Sequence, residues 1–231
     1  MRAWGLVVAA GAGARLEDPD GMPKAMRLLA GVEMFARALA AFDVARGIDG
    51  SVLVVPPLWM EYALERVLGR FRRPIEMAQG GETRQRSVEA GLGRLGADVD
   101  TVVVHDAARP FVTEALIERA LDGLGRADAA ICAIPVTDTV KRVEGDRVIE
   151  TLDRTTLVRV QTPQAFRLRI LREAHADAAR SGVDATDDAG LVERIGGTVT
   201  VVPGDDRNMK VTTRADLENA EALLARAGSR S

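Results

Sequence analysis

LVVAAGAGARLEDPDGMPKAMRLLAG, residues 6–31, runs an apolar stretch straight into a glycine loop. A buried strand followed by such a loop opens many nucleotide-binding folds. In open parallel sheets, ligands bind at the carboxyl ends of the strands. Gly11 and Gly13 let the backbone approach a phosphate and point N–H groups at it. The dinucleotide fingerprint G-x-G-x-x-G is incomplete, because its third glycine is replaced by Leu16. The triphosphate-loop signature G-x-x-x-x-G-K-[ST] is absent. The segment after Leu16 is loop-like, with Pro19, Gly21 and Pro23, and two cations, Arg15 and Lys24, bracket it. A dinucleotide loop has no use for two cations there. A triphosphate under attack does, because its charge must be neutralised as the transition state forms. The plainer alternative is that both are solvated surface charges.

Outward from the loop, composition narrows the field. The chain has 231 residues, 47% of them hydrophobic, enough for one α/β domain with a buried sheet. Its 31 basic and 34 acidic residues leave a net charge of −3, which argues against a nucleic-acid surface. A local phosphate pocket is still compatible with that balance. The single cysteine, Cys132, lies in the apolar run AAICAIP and reads as a small buried hydrophobe. One cysteine excludes an intrachain disulfide or a cysteine-rich metal cluster, and a cytoplasmic protein is expected. No apolar run approaches the roughly 18 residues of a membrane span, so no membrane partner is expected. The N-terminus superficially suggests a signal peptide, but Gly11, Gly13 and Arg15 suit a working loop better.

Along the chain, short β-rich runs alternate with longer amphipathic ones. Strands are expected at 4–10, 51–56, 75–79, 101–105, 129–135 and 198–203. Helices are expected near 32–46, 58–70, 84–95, 113–125, 168–180, 186–195 and 213–227. Several strands are apolar throughout, as when helices cover both faces of a mostly parallel sheet. One nucleotide-binding domain, 1–231, is therefore expected. Residues 136–160 break the rhythm. They read as two extended runs, TVKRV and RVIETL, turned at Glu144-Gly145-Asp146. A lone hairpin is marginal in water, so it must pack on the body or on a second subunit.

Four further constellations carry chemistry. QGGETRQRSV, 79–88, follows a strand with Gly80 and Gly81, then offers Glu82, Arg84 and Ser87 for reading a base or ribose. VVVHDAARPFV, 102–112, places Asp106 just past a buried strand, where a carboxylate can help hold Mg²⁺ beside phosphates. An N-cap or turn role is the alternative for Asp106. His105 reads as structural, and His175 sits in a helix, so neither supports Ser-His-Asp chemistry or a histidine pair for a metal. In TDDAGLVERIGG, 186–197, Thr186 and Asp187 open a helix and are cap candidates. In PGDDRNMKVTTRADL, 203–217, Lys210 follows the last strand as another candidate phosphate cation.

The blocks AAGAGARL…PK, GGETRQRSV, VHDAARPFV, DTVKRV, TLDR, QTPQAF, TDDA and NMKVTT…DL occur in that order over about residues 6–217. Together they resemble the 2-C-methyl-D-erythritol 4-phosphate cytidylyltransferase family of the non-mevalonate isoprenoid route. The resemblance implies a Rossmann-like α/β fold with a protruding β-hairpin arm. It implies transfer of CMP from CTP to methylerythritol phosphate, giving a CDP-alcohol and pyrophosphate without a covalent intermediate. By the same resemblance, Ala9, Ala10, Gly11, Gly13, Gly80, Gly81, Glu82, Arg84, Ser87 and Ala107 belong to the nucleotide site. Arg15 and Lys24 would stabilise the triphosphate in the transition state. Asp106 would hold Mg²⁺ or another divalent cation. Asp106, Arg109, Thr139, Arg154, Thr162, Thr186, Asp187 and Lys210 would serve the second substrate, with Arg154 and Lys210 also catalytic. A homodimer is implied, with the 136–160 arm exchanging between subunits and Arg154 serving the partner's site. Family members often read PKQY after the loop, whereas this chain has PKAM at 23–26, with Lys24 kept. Competing readings are a cytidylyltransferase for another polyol phosphate such as ribitol 5-phosphate, an NAD(P)-dependent oxidoreductase, and a non-catalytic nucleotide sensor.

Overall fold

The computed structural model describes residues 2–11 and 21–228. Gly13 and Arg15, two of the expected loop residues, lie outside the described residues. The chain begins with β1 (Ala3–Val8), a small antiparallel pair β2 (Leu28–Leu29) and β3 (Val32–Glu33), then α1 (Met34–Val44) and β4 (Ile48–Val55). It continues through α2 (Met60–Val67), β5 (Ile75–Gln79), α3 (Arg84–Leu92), β6 (Thr101–Asp106), α4 (Glu114–Gly123) and β7 (Ala129–Pro135). The hairpin β8 (Lys141–Glu144) and β9 (Arg147–Thr151) is followed by β10 (Val158–Arg167), α5 (Leu168–Ser181), α6 (Asp188–Arg194), β11 (Val199–Pro203) and α7 (Arg214–Gly228).

Seven strands form one sheet in the order β11-β7-β10-β6-β1-β4-β5. All neighbours are parallel except β10, which runs antiparallel between β6 and β7. The apolar runs acquire their reason here. In β6, Val103 packs with α1 and α4 side chains such as Phe42 and Ile117, while Val102 and Val104 pack with Val88 of α3 and Leu171 of α5. Alternate residues thus enter opposite cores, and both cores are apolar. Full burial of one such side chain contributes about 1.5–3 kcal/mol.

β10 is the departure from the sequence reading, which placed no strand at 158–167. Its middle, Gln161-Thr162-Pro163-Gln164, is polar, contains a proline with a cis Thr162–Pro163 peptide, and shifts register against β7. Such a stretch has the composition of a loop. It is a strand because β6 and β7 supply ladder partners on both sides. The expected 136–160 arm is correspondingly shorter: its paired strands span 141–151, and residues 158–160 belong to the main sheet. Every residue from Lys141 to Thr151 is exposed, including Val143, Val148 and Ile149. The helix expected at 32–46 starts at Met34, because Val32 and Glu33 pair with β2. Among the described residues no helix is long and apolar enough to cross a membrane.

Candidate active site

The first expected loop leaves β1 at Val8. Ala9 is buried and donates its N–H to the Val54 carbonyl at 2.7 Å, while Gly11 faces open space. The second loop leaves β5 at Gln79. Gly80 is needed for packing between these loops, because a Cβ there would stand 2.1 Å from the Ala10 Cβ. Ser87 differs from its expected role of reading a base or ribose. It is fully buried beneath the loop, where its hydroxyl donates to Thr83 O (2.9 Å) and accepts from Gly81 N–H (3.2 Å). It shapes the loop and does not face the cleft. Thr83 caps α3 by accepting from Arg86 N–H at 3.1 Å. Glu82 is exposed at the loop tip, and Ala107 is buried with its N–H on the Val8 carbonyl.

Asp106 ends β6, and both of its carboxylate oxygens are engaged by cations. Arg84 Nε donates to Oδ1 at 2.9 Å, and Lys210 Nζ donates to Oδ2 at 2.7 Å. Burial alone would raise the Asp106 pKa, but Arg84 and Lys210 outweigh it and hold the carboxyl well below the usual range. Arg84 also donates from Nη1 to Asp188 Oδ2 at 2.7 Å. Burial opposes its charge, yet Asp106 and Asp188 raise its pKa above the ordinary value. The other oxygen of Asp188 accepts from His175 Nε2 at 3.0 Å. The connection Lys210–Asp106–Arg84–Asp188–His175 therefore runs unbroken from the cleft into the core. Neither Asp188 nor His175 is legible as part of the site from sequence: Asp188 stands in TDDA, whose local pattern reads only as a helix start.

The polar β10 segment organises the rest. The Thr162 hydroxyl accepts from Asp106 N–H at 3.0 Å and meets His105 Nδ1 at 3.1 Å. His105 Nε2 lies 3.1 Å from the Arg109 carbonyl, which can only accept, so Nε2 carries the proton and Nδ1 accepts from Thr162. Burial pushes the His105 pKa down to about 4. The ring is a strut of the Asp106–Arg109 turn, not a base facing substrate. The Thr162 side chain also supports that turn through its bonds to Asp106 and His105. Gln161 holds both backbone groups of Asp205, with Nε2 donating to O at 2.9 Å and Oε1 accepting from N–H at 3.2 Å. Asn208, fully buried, donates to Thr162 O at 2.8 Å, and Arg109 Nη1 donates to Asn208 O at 2.8 Å. With Val211 N–H on Ala108 O at 2.8 Å, these bonds seat Lys210 beside Asp106.

A cavity of about 410 Å³ opens here. Arg84, Asp106, Arg109 and Lys210 line it, together with Thr162, Thr186 and Asp187. Asp187 also caps α6 through Gly190 N–H at 3.0 Å, and Gln164 Nε2 donates to its other oxygen at 3.1 Å. Asp187 is thus both the cap of α6 and part of the cavity wall. Thr139 and Arg154 do not line this cavity. They sit exposed at the base of the arm, where Arg154 Nη1 donates to Thr137 O at 2.6 Å. Lys24 begins a single 3₁₀ turn, Lys24–Met26, whose Ala25 and Met26 are buried in the core. No cluster of three metal-ligating side chains occurs among the described residues. The donor set fits a cation only as one held mainly by phosphates: Asp106 offers a single carboxylate, with a second lone pair on each oxygen.

Comparison with known proteins agrees with this geometry. The family described as "IspD: 2-C-methyl-D-erythritol 4-phosphate cytidylyltransferase" matches residues 4–226. A 2-C-methyl-D-erythritol 4-phosphate cytidylyltransferase of Geobacillus thermodenitrificans is 44% identical over 223 residues, 95% of this chain and 96% of that protein. The crystal structure of the Thermus thermophilus enzyme of that name is 35% identical, with TM-score 0.77 over 97% of this chain and 100% of that one. The 4-diphosphocytidyl-2C-methyl-D-erythritol synthase of Anaerococcus prevotii matches with TM-score 0.86 at 28% identity, over 97% and 96% of the two chains. A strand-end glycine loop, a carboxylate clamped between two cations and a match over nearly the whole chain converge: this chain belongs to the 2-C-methyl-D-erythritol 4-phosphate cytidylyltransferase family.

Proposed function

We propose that this protein transfers CMP from CTP to the phosphate of 2-C-methyl-D-erythritol 4-phosphate. An oxygen of that phosphate attacks the α-phosphorus of CTP, and the bond to the bridging oxygen breaks. The electron pair leaves with pyrophosphate. No side chain needs to remove a proton, because a phosphate dianion is already a nucleophile. Placement and charge stabilisation then carry the chemistry. The observation that carries this reading is the cavity lined by Arg84, Arg109 and Lys210 around the buried Asp106 carboxylate. Among the described residues it offers cations and no activated nucleophile.

In this reading the backbone of Ala9–Gly11 and the Gly80–Glu82 loop hold the nucleotide. Arg15 and Lys24 neutralise the triphosphate. Lys210 and Arg109 hold the polyol phosphate near Thr186 and Asp187. A divalent cation, when bound, neutralises phosphate charge, and Asp106 would be its protein ligand. The whole chain acts as one nucleotidyltransferase domain in the cytoplasm. It works as a homodimer in which the 141–151 hairpin reaches the partner subunit and brings Thr139 and Arg154 to the second site. Support for the arm is its full exposure together with its apolar Val143, Val148 and Ile149.

The test is pyrophosphate release from CTP with methylerythritol phosphate against ribitol 5-phosphate, with and without Mg²⁺. Turnover with methylerythritol phosphate at least tenfold above ribitol phosphate is expected. Preference for ribitol phosphate would overturn the substrate assignment. CTP binding without release would overturn the enzyme assignment.

A further inference from the structure

Below the cleft, Arg84 joins two carboxylates that belong to different parts of the fold. Asp106 comes from β6 at the cavity, and Asp188 comes from the first turn of α6. Asp188 is 1% exposed and His175, on α5, is 4% exposed. Both Asp188 oxygens are used, one by Arg84 at 2.7 Å and one by His175 at 3.0 Å. Burial would raise the Asp188 pKa, but the His175 hydrogen bond and Arg84 outweigh it and keep the group ionised. A guanidinium is a rigid planar fork, so fixing one nitrogen fixes the direction of the others. Arg84 Nε is thereby aimed at Asp106 Oδ1, which leaves Oδ2 for Lys210.

Resting on the function proposed above, we infer that Asp188, anchored by His175, is a positioning residue for the reaction. It prevents Arg84 from taking both oxygens of Asp106 and so keeps one oxygen for the Lys210 ammonium. Without Asp188, Arg84 has a single carboxylate partner left. Its fork then closes on Asp106 in bidentate fashion and displaces Lys210. Neither Asp188 nor His175 touches substrate. Their effect passes through Arg84 and Asp106 to the cation that meets the phosphate. Misplacement by about 1 Å is enough to cost roughly a hundredfold in rate.

The test compares Asp188→Asn, His175→Ala and His175→Gln with the unaltered protein and with Val192→Ala. The last removes a buried apolar contact from the same helix, α6, outside the relay. Pyrophosphate release is measured against CTP and methylerythritol phosphate, with thermal midpoints for each variant. Asp188→Asn is expected to lower kcat roughly ten- to a hundredfold while the KM for CTP stays within about twofold. His175→Ala is expected to lower kcat less, and His175→Gln, whose amide still donates to Asp188, to restore most of it. Val192→Ala should lose thermal stability and keep its kcat. If Val192→Ala loses as much kcat as Asp188→Asn, the relay is only cement between helices and the inference fails. Unchanged kcat in folded Asp188→Asn, or equal kcat in the two His175 variants, also overturns it. Should Asp188→Asn not fold, the His175 pair decides alone. Absence of turnover by the unaltered protein would instead count against the proposed function.

Discussion

Lys210 lines the cavity, its side chain 39% exposed and bound to Asp106 at 2.7 Å. Its ammonium is therefore pre-placed for a phosphate without being buried beyond reach. Removing one donor of this kind typically lowers the rate by roughly 10²–10³. Lys210→Ala and Lys24→Ala are each expected to fall in that range when pyrophosphate release is followed. A loss below about tenfold would return that lysine to the role of a surface charge. Cys132 yields a different test. It is fully buried, and burial pushes its thiol up to about 11 from 9.0. With the folded pKa raised above the unfolded one, its contribution is complete below about pH 9 and is lost as pH rises toward 11. Thermal midpoints measured across pH 8–11 should therefore fall less steeply in Cys132→Ala than in the unaltered protein.

Loops and strands set where those residues stand. The glycine loop after β1 and the Gly80–Gly81 loop after β5 touch each other, since Gly80 leaves no room for a Cβ beside Ala10. Gly80→Ala must separate the two loops proposed to hold the nucleotide. An increase of roughly tenfold in the KM for CTP is expected, together with about 1–3 kcal/mol of lost stability, the usual cost of overpacking. Denaturant unfolding and steady-state kinetics would check both; unchanged kinetics would show that the loops do not act together. β10 does the same for the loops around the cavity. Its Gln161, Thr162 and Gln164 each bind a different loop: Asp205, the Asp106 turn and Asp187. A buried amide left without its partner costs about 1–3 kcal/mol, so these bonds lock the loops firmly.

At the scale of the whole molecule, the exposed hairpin is the element that calls for a partner. A two-stranded ribbon carrying exposed valines is marginal alone and gains stability when its apolar face is covered. In the proposed dimer, Arg154 of one subunit completes the site of the other. Mixing Arg154→Ala subunits with Lys24→Ala subunits should then restore activity, because each mixed dimer carries one intact composite site. Verified mixed dimers without activity would sink that arrangement. A Val148→Lys substitution on the arm should shift the protein toward monomer in sedimentation velocity, with parallel loss of turnover.

The sequence by itself determined the alternation of strands and helices. Apolar runs such as TVVVH and AAICAIP carry their burial in their own composition. It also located the glycine loops, Asp106, Arg109 and Lys210, because strand ends and loop chemistry are local features. Two things were decided only by tertiary structure. β10 has the composition of a loop and becomes a strand because β6 and β7 satisfy its backbone on both sides. The relay beneath the cleft joins Arg84 to Asp188 and Asp106 to Lys210, each pair 104 residues apart. In the sequence Arg84 reads as a base or ribose contact, Asp106 as a cation ligand or turn residue, Lys210 as a phosphate cation and His175 as a helix histidine, with nothing to join them. A charge acquires a partner, a direction and a shifted pKa only where folding brings an opposite charge to it and removes the water between them.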